Sequence, residues 1–476
     1  MTESGDRARK AWVLALTSVA SFMAALDALV VATALTRIRL GLGASIEALQ
    51  WTVNAYNLSF AVLLMTGAAL GDRFGRRRVF VAGLGLFTAA SAACALAPTI
   101  GWLIAARAVQ GAGAAMVMPL AMALLGVAFP REERGKALGF FSGVTGLALV
   151  SGPVVGGAIA QGIAWQWIFW LNVPIGMVTI PLVVSRIRES KGPGAALDIP
   201  GIALVTGAAL GMMWGLMGGN HAGWGSPEVV AALVAGVLLT VAFVAWELRA
   251  PAPMVPMRLF RSRAFSSGNA VSFLLFGSIQ GTLFFLAQFL QTAQGHGPLG
   301  AGLRLLPWTA CLFVVAPIAG SLVNRIGERP LIVVGLLLQA VGMAWLGRIA
   351  APDLAYATLV APLIVAGTGA SMVIPAAQNA VLSSVAATEI GKASGTFNML
   401  RLLGAVFGIA ILASVFTRTG SFGSPQAFSA GFAPAIGVSA ALSVLGAIAG
   451  MWQPAPARSG VRARKGEGLR HADEPT

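Results

Sequence analysis

The chain has 476 residues, 57% of them hydrophobic and only 10% charged. Soluble globular domains carry about 25% charged residues, so a soluble enzyme or binding module is excluded and a polytopic membrane protein is expected. The net charge of +15 raises nucleic acid as a partner, but the placement of the basic residues explains it as membrane topology instead. Cys94 and Cys311 lie far apart in apolar runs, and His221, His296 and His471 are isolated. Neither a disulfide framework nor a metal site follows. No cofactor is expected, and no catalytic cluster is visible.

Apolar runs of about 20 residues predict transmembrane helices. Fourteen are expected, near 12–34, 49–71, 79–97, 102–126, 137–160, 167–185, 199–219, 227–247, 267–290, 303–323, 330–349, 355–378, 394–416 and 428–452. The first is preceded by Arg7, Arg9 and Lys10 and is too long for a signal-peptide core, so it is read as a retained span. The expected division is a cytoplasmic N-terminus (1–11), a six-helix bundle (12–185), a linker with two extra spans (186–264), a second six-helix bundle (265–452) and a polar, disordered cytoplasmic tail (453–476).

Orientation follows from Lys and Arg. With the N-terminus inside, alternate connections hold Arg73, Arg76, Arg77 and Arg78; Arg131, Arg134 and Lys136; Arg186, Arg188 and Lys191; Arg249, Arg258, Arg261 and Arg263; Arg325 and Arg329; and Lys392. The tail adds Arg458, Arg462, Arg464, Lys465 and Arg470, whereas outside connections hold only Arg37, Arg39, Arg304, Arg348 and Arg418. The asymmetry of roughly five to one requires an even number of spans.

The chain repeats itself. Residues 68–77 resemble 320–329, 111–119 resemble 367–375, and 135–139 resemble 391–395, the last two pairs at one offset of 256 residues. Two six-helix units with a two-span insert follow. Parallel repeats of this kind place a substrate site between the halves near the bilayer midplane.

The fifth predicted span, Gly139 to Gly157, is uncharged and carries Gly139, Gly143, Gly146, Gly152, Gly156 and Gly157 together with Pro153. Gly and Pro are poor helix formers in water, but in a membrane small residues let helices approach and neighbours satisfy the freed backbone. A closely packed helix with a bend is expected. The second half has Gly408 in register with Gly152 but Ile409 in register with Pro153.

Together these stretches resemble the major facilitator superfamily, and within it the fourteen-span drug:proton antiporters of the EmrB/QacA type. Leu70–Arg77 is similar to that family's loop between spans two and three, Arg107–Gly113 to its span-four motif, and Gly139–Gly157 to its span-five antiporter motif. Leu26-Asp27 with Val30-Val31, and Trp165–Gly176, resemble its span-one and span-six motifs. Departures are Ala68, Ala148, Leu29, Ala32, Thr36 and Gln166. The resemblance implies an all-α polytopic fold of two six-helix bundles plus two central helices. It also implies alternating access and proton-driven export of apolar drugs or antibiotics from the plasma membrane by a monomer. Export of an endogenous metabolite and proton-coupled uptake are the alternatives.

Of the 17 acidic residues, Asp27 alone lies well inside a predicted span, with Asp72 and Glu247 at helix ends. A charge at the bilayer centre costs at least about 2.5–3.5 kcal/mol, which favours a proton carrier over a simple helix–helix hydrogen bond. Arg107 and Arg401 are the cations within spans. The resemblance implies a proton-coupling role for Arg107, paired here with Asp27, while Arg401 reads equally as helix glue or as a cavity residue. Asp72, Arg73, Gly75, Arg76 and Arg77, with the partial copy at Arg325 and Arg329, are expected to latch the cytoplasmic side. Phe22, Met23, Asn54, Tyr56, Asn57, Gln280, Gln288, Gln291 and Asn398 are candidates for the substrate cavity. With a single intramembrane acid, neutral, zwitterionic or singly charged apolar compounds fit better than dications.

Overall fold

The computed structural model describes residues 3–192, 197–219, 222–386 and 389–454. Within them lie fourteen helices long and apolar enough to cross a membrane. They are α1 (Glu3–Leu42), α2 (Ile46–Phe74), α3 (Arg76–Ala95), α4 (Ile100–Ala128) and α5 (Arg131–Gly162); α6 (Trp167–Arg186); α7 (Ile199–Gly218) and α8 (Pro227–Glu247); α9 (Arg263–Ala293) and α10 (Pro298–Val323); and α11 (Glu328–Ile349), α12 (Tyr356–Ser383), α13 (Ile390–Thr419) and α14 (Pro425–Met451). Nearly all of the tail expected to be disordered falls outside the described residues.

Local chemistry sets the ends. Ser45, Thr99, Ser226, Ser262 and Ser424 each accept a backbone N–H in the first turn of the following helix, which satisfies donors that the helix cannot. Gly75 and Gly327 hold φ of 114° and 80° at the α2–α3 and α10–α11 turns. L-residues other than Gly rarely adopt such values, so the sequence repeat carries one turn geometry in both halves.

Several helices run longer than the hydrophobic runs. α1 continues through Arg37 and Arg39 to Leu42, and α10 starts at Pro298, so Arg304 is helical. Arg348 and Arg418 sit in the last turns of α11 and α13. Placing these five in connections is therefore corrected. Long arginine stems lie along apolar helix surface while their heads reach outward, as Arg39 does over the Phe422 ring at 4.5 Å. α5 is one continuous helix through Pro153.

Packing repeats as the sequence does. α1 packs on α5, α2 on α4 and α3 on α6; in the second half α9 packs on α13, α10 on α12 and α11 on α14. The first half meets the second along two seams, α5 with α10 and α2 with α13. The α7–α8 hairpin covers the second seam. Val205, Ala209 and Met213 of α7 share a core with Leu58 and Val62 of α2 and with Leu403 and Val406 of α13. Its base is tied by Asp198, which caps α7 and accepts from Trp246 Nε1 at 2.7 Å.

Candidate functional site

Asp27 on α1 is 1% exposed and Arg107 on α4 is fully buried. Arg107 Nη1 donates to Asp27 Oδ2. Gln110 Nε2, one helical turn from Arg107, donates to Asp27 Oδ1 at 2.9 Å, and Asn172 Nδ2 of α6 donates to the same oxygen at 2.8 Å. Ser91 on α3 accepts from both amides. The guanidinium also donates to Gln110 Oε1 (2.8 Å) and to the Thr52 carbonyl (3.3 Å). It lies 4.2 Å over the Tyr56 ring, whose hydroxyl donates to the Ala24 carbonyl. Five helices thus converge on one carboxylate. A buried pair is tolerable only when its remaining donors and acceptors are satisfied, and the amides supply that.

The corresponding place in the second half is neutral. Ser278 and Thr282 of α9 and Ser439 and Ser443 of α14 form a buried hydroxyl cluster with spacings of 2.7–3.0 Å. Gln339 Nε2 of α11 donates to Ser278 at 2.8 Å. None of these groups carries charge, whereas the corresponding place in the first half holds the buried Asp27–Arg107 pair.

The two ends of the molecule differ. At the end away from the Arg76–Arg78 cluster, α5 and α10 touch backbone to backbone. A Cβ on Gly157 would lie 2.4 Å from the Pro298 carbonyl oxygen, and one on Gly302 2.2 Å from that of Pro153. Leu299 N–H donates to Gln161 Oε1, and Gln291 Nε2 donates to the Thr33 carbonyl of α1 at 2.9 Å. Gly152 and Gly156 pack on Leu29 and Val30 of α1. Toward the arginine-rich end the seam parts. Gly139, Gly143 and Gly146 have no atom within 4 Å of an added Cβ, and Phe140 and Leu147 are exposed. The close packing expected of this segment is thus confined to its far half. This conformation is closed at the far end and parted along α5 and α10 at the arginine-rich end.

A major facilitator superfamily model matches residues 17–409 and 271–471. The chain belongs to that superfamily. It is 34% identical over 412 residues to the tetracenomycin C resistance and export protein of Streptomyces glaucescens, covering 86% of this chain and 76% of that one. It is 35% identical over 434 residues to the cephamycin export protein CmcT of Amycolatopsis lactamdurans, covering 89% and 88%. Among solved structures, a D-xylose-proton symporter superposes with a TM-score of 0.67 at 16% identity, covering 94% of this chain and 98% of that one; this likeness is one of fold. The major facilitator fold, membrane integration and membership of a transporter superfamily follow.

In this superfamily member the Asp72–Arg78 turn is bound within its own half. Arg76 pairs with Asp72 at 2.8 Å, and its N–H donates to the Ser190 carbonyl. Glu189, just beyond α6, accepts the N–H groups of Arg77 and Arg78 at 2.9 and 3.1 Å. Arg77 also donates to the Val184 and Ile187 carbonyls, and Arg73 lies over Phe74. A Cβ on Gly75 would fall 2.7 Å from the Glu189 carboxyl carbon, so that glycine serves both the turn and the carboxylate's approach. Arg325 and Arg329 are exposed and form no ion pair among the described residues. Glu189→Gln removes a carboxylate from a helix N-terminus, a loss of about 0.5–2 kcal/mol. Faster trypsin cleavage at Arg76–Arg78 than in the wild type is expected.

The predicted cavity residues scatter. Met23, Asn54 and Asn57 are buried. Gln288 donates to the Phe284 carbonyl of its own helix, and Gln291 belongs to the far-end closure described above. Phe22 packs at the edge of a core cluster. Gln280 lines a void of about 10 Å³ between the halves with Ala28, Val53 and Ile409, room for about one water. Asn398 and Arg401 are half-buried on one face of α13. The sequence reading assigned no role to Gln110, Asn172, Ser91 or Glu189. The first two lie inside the span-four and span-six motifs, and their spacing from Arg107 and Trp165 was the available signal.

Proposed function

We propose that this protein is a proton-coupled efflux transporter that exports apolar small molecules across the plasma membrane. What carries the reading is Asp27, a buried carboxylate held by Arg107, Gln110 and Asn172, in a chain whose relatives are named as exporters and resistance proteins. On this reading the arginine-rich end and both termini face the cytoplasm, and the conformation described is the inward-facing one. The working unit is a monomer. A proton arriving at Asp27 neutralises it and frees Arg107, and the pairing re-forms when the proton leaves on the inside. The far half of α5, with Gly152, Pro153, Gly156 and Gly157, is the seal that must part for outward opening. The Asp72–Arg77 turn is the cytoplasmic latch, released in this state and held by Glu189.

Everted vesicles test the direction. With an acidified lumen, a panel of fluorescent apolar dyes that includes ethidium should contain compounds that accumulate only when the protein is present. Loss of that uptake on collapsing the proton gradient is expected. Gradient-driven exit from such vesicles would instead assign uptake by symport.

A further inference from the structure

α13 presents Ser394, Asn398 and Arg401 on one half-exposed face, as positions i, i+4 and i+7 of a helix do. Arg401 lies near the middle of the thirty-residue helix. Its guanidinium sits 5.0 Å over the ring of Phe276 on α9. Among the described residues it has no hydrogen bond and no carboxylate partner. One turn along α9 from Phe276, Gln280 lines the void between the halves, and the next residue of α13, Leu402, packs against the first-half core with Met65. The guanidinium therefore stands at the seam between the halves at membrane depth.

An arginine stays charged there, and an uncompensated charge in the membrane interior is costly. The carboxylate that could balance it is already committed, since Asp27 accepts from Arg107, Gln110 and Asn172. The second half offers hydroxyls and amides in its buried cluster but no acid. Among the described residues, Arg401 therefore stands at the seam between the halves with no carboxylate partner, beside an aromatic face.

We propose that Arg401 and Phe276 form an anion-binding subsite on the transport path, so that the compounds carried best are apolar aromatic monoanions such as aryl carboxylates. The guanidinium takes the carboxylate by charge-assisted hydrogen bonds, and the ring takes the flat apolar body. This subsite rests on the efflux reading for its direction but not for its chemistry.

The test is binding to the purified full-length protein. The probes are naphthoate, anthracene-9-carboxylate and pyrenebutyrate, each paired with its neutral primary amide and followed by fluorescence. The wild type should bind at least one acid about tenfold or more tighter than its amide. Arg401→Gln should reduce that ratio to near one, and Arg401→Lys should keep most of it. Asn398→Asp leaves the arginine in place but gives it a carboxylate three residues away on the same face, and should also weaken acid binding while sparing the amide. If Arg401→Gln fails to reach the membrane, the lysine and Asn398→Asp variants still decide. No acid preference in the wild type, or one unchanged in Arg401→Gln and Asn398→Asp, overturns the proposal. Acid-selective binding without gradient-driven accumulation in everted vesicles would leave the subsite standing and remove the efflux reading. Gradient-driven accumulation of neutral dyes by a protein whose binding shows no acid preference would do the reverse.

Discussion

Asp27→Asn is expected to lower gradient-driven accumulation in everted vesicles to the level of vesicles lacking the protein. Asparagine cannot cycle a proton, and it offers one acceptor oxygen where Arg107, Gln110 and Asn172 now share two. The substitution also strands a buried guanidinium, and breaking a buried pair typically costs about 3–5 kcal/mol, so reduced protein in the membrane is an expected side effect. Adding Arg107→Gln removes the stranded charge and should restore the membrane level without restoring coupling. Substrate exchange in the absence of a gradient should survive in the double variant. Full gradient-driven transport by Asp27→Asn would remove this carboxylate from the mechanism.

Gly157→Leu is expected to act at the opposite end of the cycle. A Cβ at Gly157 would already lie 2.4 Å from the Pro298 carbonyl oxygen, and a leucine cannot be housed there while α5 and α10 touch. Overpacking costs about 1–3 kcal/mol, equivalent to about 5- to 150-fold in the balance between closed and open far ends. A membrane-impermeant maleimide should therefore modify Leu299→Cys faster in the Gly157→Leu background, with turnover falling and binding retained. Gly143→Leu is the matched control, because an added Cβ there meets nothing within 4 Å. Equal maleimide rates in all backgrounds would demote the far half of α5 to ordinary packing.

The fold was legible because its two signals are strong. Long apolar runs set the helices, and arginine placement separated the two ends. Asp27 and Arg107 were legible for the same reason, since charges inside an apolar run stand out by their cost. Gln110, Asn172 and Ser91 were not, because a neutral polar side chain in a span costs little and its partner lies far off in sequence. Gln291 and Gln288 show the same limit from the other side: both looked like cavity residues, yet one ties α9 to α1 and the other bonds its own helix. The glycines of α5 mark where a close approach is possible. They do not say in which conformation it is made, which is why Gly157 is packed while Gly139 is open. Glu189 was hidden among basic neighbours, and only the folded α2–α3 turn reveals what it caps.

The neutral hydroxyl cluster of the second half has an energetic consequence. On the antiport proposed above, one carboxylate carries one proton per cycle, and each inward charge is worth about 2.3 kcal/mol per 100 mV. At about 1.4 kcal/mol per tenfold ratio, a neutral compound can be held at a gradient of about 40-fold per 100 mV of membrane potential, and about tenfold more for each unit of pH difference. A compound leaving as a monoanion adds a second charge moved down the potential and squares the first of these factors. On that proposal, with hydroxyls rather than a carboxylate in the second-half cluster, the charge of the cargo sets how steep a gradient the protein can sustain.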